Sequence, residues 1–424
     1  MSEKDTAQKN QESWFQKLWN WLRADPPLYI RYFVPILIFL GVAGGIAALL
    51  LPVNISWLHQ NGLSGEAEQK SISDLRLHFL YITGGIIAVL TLLQTNWKNK
   101  VDRRKVEDDI QKNKNDHIRQ VHAERRSRYT KAVEQLANEN AAVRLGGVYT
   151  LVGLVDEWLA DDSLDPNNRQ KEGQIIINNL CAYIRLPFPL AKNRDDLIPS
   201  NAVNYGSTFE QDSARLREEQ EIRLSIFTEI SNHLTAPEEN STNKTNTWNE
   251  LSYNYRESLI FYPLGNLKFV NPDFSGSEFY GEAVFHNSEF IGEANFTRTR
   301  FNKRTTFIGS HHNCITKFNN AVFHGDTYFM GVKFFSGVSF EGSMHGRYII
   351  FSEDSEKRTK KTAFSVKNNP KEYNFKINGI AMVNKIETEQ ITVADGRVFT
   401  IPVGCELFDP NPLPAPKPEE MPAE

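Results

Sequence analysis

His311, His312 and Cys314 stand together in "SHHNCITK" (310–317), and two imidazoles beside a thiol are the donor types of a zinc site. Such a site needs three or four convergent ligands, and no second pair at motif spacing accompanies these, so an irregular turn is the simpler reading. The acidic run "DDSLDPNN" (161–168) lacks the glycine and the terminal glutamate of a calcium loop and reads as a connection between helices. No phosphate-binding loop, GxSxG, HExxH or dinucleotide fingerprint occurs. These residues predict no metal, no cofactor and no catalytic activity.

The element that must hold the histidine pair is more informative than the pair. Residues 264–347 carry 14 of the chain's 27 phenylalanines. Phe274, Phe285, Phe296, Phe307, Phe318, Phe329 and Phe340 recur every 11 positions. A second series, Phe279, Phe290, Phe301, Phe323 and Phe334, is offset by five and skips one beat, where His312 stands. Small residues sit two places before these rings (Ser277, Ala283, Ser288, Ala294, Thr299), and glycines recur two places after (Gly276, Gly281, Gly292, Gly309). Gaps of five and six match neither the 3.6-residue period of a helix nor the 2.0 of a strand. A large ring and a small residue turned inward, with glycine at a bend that requires positive φ, describe a coil that turns repeatedly.

Sides of 5, 6, 5 and 6 residues make a coil of 22. Phe274, Phe296, Phe318 and Phe340 then form one internal column, with Phe285, Phe307 and Phe329 opposite. Phe279, Phe301 and Phe323 form a third, and Phe290, His312 and Phe334 a fourth. Neighbours in a column should lie ~4.8 Å apart, the strand spacing of a sheet, over about three and a half coils. At His312 a bulge or loop is expected.

"FSGSEFYGEAVFHNSEFIGEANF" (274–296) resembles the Phe-rich, glycine-containing branch of the pentapeptide-repeat proteins. That resemblance implies a right-handed, four-sided β-helix with the large residue of each unit stacked inside. Upstream, "RYTKAVEQLANENAAVRLGGVYTL" and "LCAYIR" resemble the helical segment that joins two membrane helices to such repeats in bacterial membrane proteins. Together the two regions cover roughly 77–347. Some family members mimic DNA and bind topoisomerases, which requires a strongly acidic surface. Residues 264–347 carry eight Lys/Arg against seven Asp/Glu, a sum of +1, which disfavours the mimic.

The rest of the chain supplies a mounting for this rod. The 424 residues have a net charge of −4, which suggests no nucleic-acid partner, and three scattered cysteines that suit a reducing compartment. Residues 32–53 and 77–95 are two apolar runs of 22 and 19 residues, long enough to span a bilayer. Trp57 and Trp97 follow them at interface positions. Lys and Arg concentrate before the first span and after the second, so both termini are expected in the cytoplasm of a bacterial cell, with the inner membrane crossed twice. "SWFQKLWNWLR" (13–23) has the pattern of an interfacial helix, and 98–131 carry a basic excess that suits anionic headgroups.

The expected order is therefore an N-terminus with an interfacial helix (1–31), two transmembrane helices (32–97), a charged helical stalk (98–127) and an α-helical module (128–262). The β-helix (263–347), a β-rich cap (348–407) and a disordered Pro/Glu-rich tail (408–424) complete it. The fold class is an α+β membrane protein. Its expected role is a membrane-anchored scaffold whose partners are the bilayer and an unidentified protein. The alternatives are a DNA-mimic regulator of a topoisomerase-type partner or a subunit of an oligomeric transport complex, with a homo-oligomeric pore lined by Gly and Thr83.

Overall fold

A computed structural model describes residues 28–54, 65–201, 205–234, 247–355, 358–377 and 385–411. The helix expected at 13–23, the linker at 235–246 and the tail from 412 onward lie outside the described residues. The chain divides into two compact units, Met1–Arg119 and Gln120–Glu424.

The first unit contains α1 (Phe33–Asn54) and most of α2 (Gly65–Leu136). Both are long and apolar enough to cross a membrane. Their apolar side chains face outward, with Phe39 and Leu92 each 70 % exposed. The two helices approach where a side chain at Gly44 would collide with Thr83, whose hydroxyl donates to the Phe79 carbonyl at 2.8 Å. No glycine or proline interrupts residues 86–136, so the second apolar run, the charged stretch after it and the entry to the helical module form one element rather than three.

In the second unit, the end of α2 packs with α3 (Ala141–Leu159), α4 (Pro166–Arg185) and α5 (Phe209–His233). Val148, Leu151, Leu154, Val155, Ile177, Leu180, Ile184 and Ile226 form the fully buried stripe between them. The acidic run at 161–168 is the α3–α4 connection: Asp165 caps α4 by accepting from the Asn168 amide at 3.1 Å. Asp161 accepts from His122 at 2.8 Å and also binds Arg125, fastening the end of α2 to α3. Burial alone would raise the Asp161 carboxyl, but hydrogen bonds from Ser163, His122 and Arg125 hold it well below the usual range. Asp212, read from sequence as the N-cap of α5, lies inside its first turn, because the helix starts at Phe209.

The remainder is a β-solenoid of about four turns, built from two-residue strands in four parallel sheets. In one sheet Glu278–Phe279, Arg300–Phe301, Val322–Phe323 and Met344–His345 pair in order, 22 residues apart. The ladder starts before 263, at Leu259–Ile260, and continues past 347 through Ile349–Ile350, Ala363–Ser365, Tyr373–Asn374 and Glu406–Phe408. The region expected as a β-rich cap thus carries further solenoid rungs, with two antiparallel hairpins between them, Ser352–Ser355 with Arg358–Lys361 and Thr388–Thr392 with Val398–Pro402.

The expectation of a bulge at His312 is also corrected. His311–His312 is a regular strand paired with Glu289–Phe290 on one side and Lys333–Phe334 on the other. An imidazole is flat and close to a benzyl ring in size, so it fits the slot without displacing the backbone.

Candidate interaction surface

The interior of the rod is filled ring on ring. The twelve residues Phe274, Phe279, Phe285, Phe290, Phe296, Phe301, Phe307, Phe318, Phe323, Phe329, Phe334 and Phe340 each expose 2 % or less of their surface. The structure sorts them into four columns. Phe274, Phe296, Phe318 and Phe340 have centroids 5.4, 5.1 and 4.9 Å apart and stack within 19° of parallel. Phe285, Phe307, Phe329 and Phe351 follow at 4.9, 5.1 and 5.1 Å. Rings from these two columns meet edge to face across the axis, as Phe307 and Phe318 do at 5.4 Å. Offset stacks along the axis and T-shaped contacts across it are the favourable aromatic geometries.

The small inward residues tie successive coils together. Ser277 Oγ donates to the Tyr255 carbonyl at 2.8 Å, Ser288 Oγ to Leu264 at 3.0 Å, and Thr299 Oγ1 to Phe274 at 2.9 Å. Two corners of each coil take a left-handed residue, which explains the series Gly276, Arg298, Asn320 and Gly342 and the series Asn287, Gly309 and Gly331, with φ between 51° and 70°. Gly325 is required for another reason: a Cβ there would overlap the backbone of Lys303 and Arg304.

Two histidines occupy ring slots. His312 is fully buried between Phe290 and Phe334, with centroids at 4.4 and 4.8 Å. Its Nδ1 pairs with Thr316 Oγ1 at 2.8 Å and its Nε2 with Ser310 Oγ at 3.0 Å. His345 stacks on Phe323 at 4.8 Å, and its Nε2 pairs with Ser343 Oγ at 3.0 Å, while Nδ1 is buried without a partner. Burial pushes the imidazoles down to about 3 and about 4 respectively. The sequence reading missed His345, although it stands 22 residues after Phe323 in the same column. Cys314 is exposed on the surface and bonds only the Ile291 carbonyl, at 3.5 Å, so it does not converge with the two histidines. Among the described residues no group of three or more His, Cys, Asp or Glu side chains is placed to hold a metal ion.

Residues 268–311 match the family model described as Pentapeptide repeats (9 copies). The rod is a pentapeptide-repeat β-solenoid. Comparison with curated proteins and with solved structures gives no match. Pentapeptide-repeat solenoids are generally non-enzymatic structural or interaction proteins.

The outer surface of the solenoid is patterned in its turn. Charges one coil apart neutralise each other there: Arg300 meets Glu278 at 3.0 Å, Arg304 meets Glu282 at 2.8 Å and Lys317 meets Glu293 at 2.5 Å. The outward positions of one sheet, Val284, Thr306, Tyr328 and Ile350, carry no charge at all. At the N-terminal end α5 covers the first coil. Phe227 lies 4.6 Å from the Tyr255 ring, Ser231 Oγ accepts from the Lys268 amide at 2.8 Å, and Gln220 Nε2 donates to the Phe261 carbonyl at 2.7 Å. α5 is held in turn by Arg223, 1 % exposed, which pairs with Glu219 at 2.7 Å and donates to the carbonyls of Ile184 and Leu186. Helical module and solenoid thus share one continuous core, a join that pattern reading of either part alone does not reveal.

Proposed function

We propose that the protein is a membrane-anchored scaffold whose pentapeptide-repeat solenoid docks a protein partner, with the inner membrane of a bacterium crossed twice and both termini cytoplasmic. The observation that carries this reading is a rod whose inner polar groups are almost all bonded internally, joined by one helix to a pair of outward-facing apolar segments. A surface presented by such a rod binds by shape and needs no moving part. Near-balanced outer charge favours a protein partner over mimicry of nucleic acid.

The test uses the exposed thiol. Cys314 should react with a membrane-impermeant maleimide in inverted inner-membrane vesicles and not in intact cells, whereas Cys181 and Cys405 are buried. A photo-crosslinking residue at 306 or 328 should capture a partner in native membranes, and Phe307→Asp should abolish that adduct. Recovery of the chain in the soluble fraction would refute the anchoring. Adducts that persist in the Phe307→Asp chain would refute the docking role.

A further inference from the structure

Beyond the scaffold role, we propose that the helical module binds a small amphipathic carboxylate, in a cleft between the Arg194–Pro199 segment and α5. The cleft measures about 370 Å³, within the range of small-ligand sites. That is the volume of about twelve water molecules, which suits an acid with a body of roughly ten heavy atoms.

Its lining is segregated. Leu197, Phe209 and Leu216 supply apolar wall, and Arg194 and Arg217 are the two basic residues of the lining. Glu210 is the one acid among the described lining residues, and Asp195, which pairs with Arg194 at 3.9 Å, is offset by Lys303, so the site sums to +1 and matches a monoanion better than a phosphate dianion. Ser213, only 7 % exposed, lines the cleft with a buried hydroxyl that has no hydrogen-bond partner. An orphaned buried donor is costly, and a carboxylate oxygen would satisfy it. The first turn of α5 begins at this cleft without a side-chain cap, and a helix start favours negative charge.

The same wall rests on the solenoid. Asp195 bonds Lys303 at 3.1 Å, and the Arg194 guanidinium lies so close over Gly281 that no side chain could stand there. Gly281→Ala should therefore displace Arg194 and weaken the site from outside it.

The test is saturation-transfer titration of the full chain in nanodiscs with octanoate, with 1-octanol and octylammonium as isosteric comparators and empty nanodiscs subtracted. Octanoate should bind saturably, at least tenfold more tightly than either comparator. The double substitution Arg194→Gln, Arg217→Gln should weaken it at least tenfold, and Ser213→Ala severalfold, with thermal unfolding unchanged. A non-saturable signal, equal binding of octanoate and octylammonium, or wild-type affinity in the double variant would overturn the proposal. Should the double variant unfold early, the comparison of the three ligands on the unsubstituted chain decides alone.

Discussion

Replacing His312 and His345 by phenylalanine should remove most of the acid sensitivity of the solenoid. Both imidazoles are buried neutral in the folded chain, at about 3 and about 4, whereas in the unfolded chain a histidine titrates near ~6.5. Below that value the unfolded state binds more protons than the folded state, so stability rises with pH and is lost as pH falls from about 6.5 toward the folded values. Between pH 7 and pH 5 the loss is about 2 kcal/mol per histidine, since a folded value anywhere below about 4 leaves the folded group neutral throughout that window. The pair together contributes about 4 kcal/mol. Urea titration of the full chain, read by pulse proteolysis of the solenoid at both pH values, measures the difference directly. Carboxylates and surface histidines are shared by both proteins and cancel in the comparison. If the double variant loses as much stability between pH 7 and pH 5 as the unsubstituted chain does, within about 0.5 kcal/mol, the buried-neutral assignment is wrong. The single variants should also differ at pH 7. His312→Phe orphans two hydroxyls, Ser310 and Thr316, and His345→Phe only Ser343, so the first should be less stable by about 1–3 kcal/mol.

Phe307→Asp buries an unpaired charge between Phe285 and Phe329 and should leave the repeats unfolded, visible as lost protease resistance, while Phe307→Ala should destabilise by about 3–5 kcal/mol through the cavity it leaves. Gly325→Ala should lose about 1–3 kcal/mol or more by overlap with the adjoining coil, whereas Gly153→Ala in α3, where a Cβ meets nothing within 4 Å, should gain about 0.5–1 kcal/mol. Thermal melts of the two variants should therefore move in opposite directions. Arg223→Leu leaves the Glu219 carboxylate with only the Tyr183 hydroxyl and the more distant Arg144, orphans two carbonyls in the core, and should reduce stability by about 3–5 kcal/mol, loosening α5 from the first coil.

The inner columns are legible in sequence because each ring meets its neighbour one coil away, so geometry writes itself as a constant interval of 22 along the chain. Where chain is inserted between rungs the interval breaks while the stacking does not. Phe364 continues the Phe334 column at 5.3 Å and Phe375 the Phe340 column at 5.8 Å, after 30 and 35 residues. That is why the solenoid reads as ending at 347. His345 escapes because a search for phenylalanine passes over an isosteric ring, and His312 is misjudged because polarity suggested irregularity where two hydroxyls satisfy it. The cleft by Arg194 leaves no periodic trace, since its residues come from a loop and a helix start whose meeting depends on tertiary packing.

The hairpin at 352–361 leaves the rod after Phe351 and returns at Thr362 without disturbing the column it rejoins. Vertical spacing is thus held by the pile of rings, and horizontal path length is left free at each corner. Foreign segments of differing length spliced at those corners would hang outside as tassels on a post whose height stays the same, so the body plan can acquire new reach without relearning how to fold.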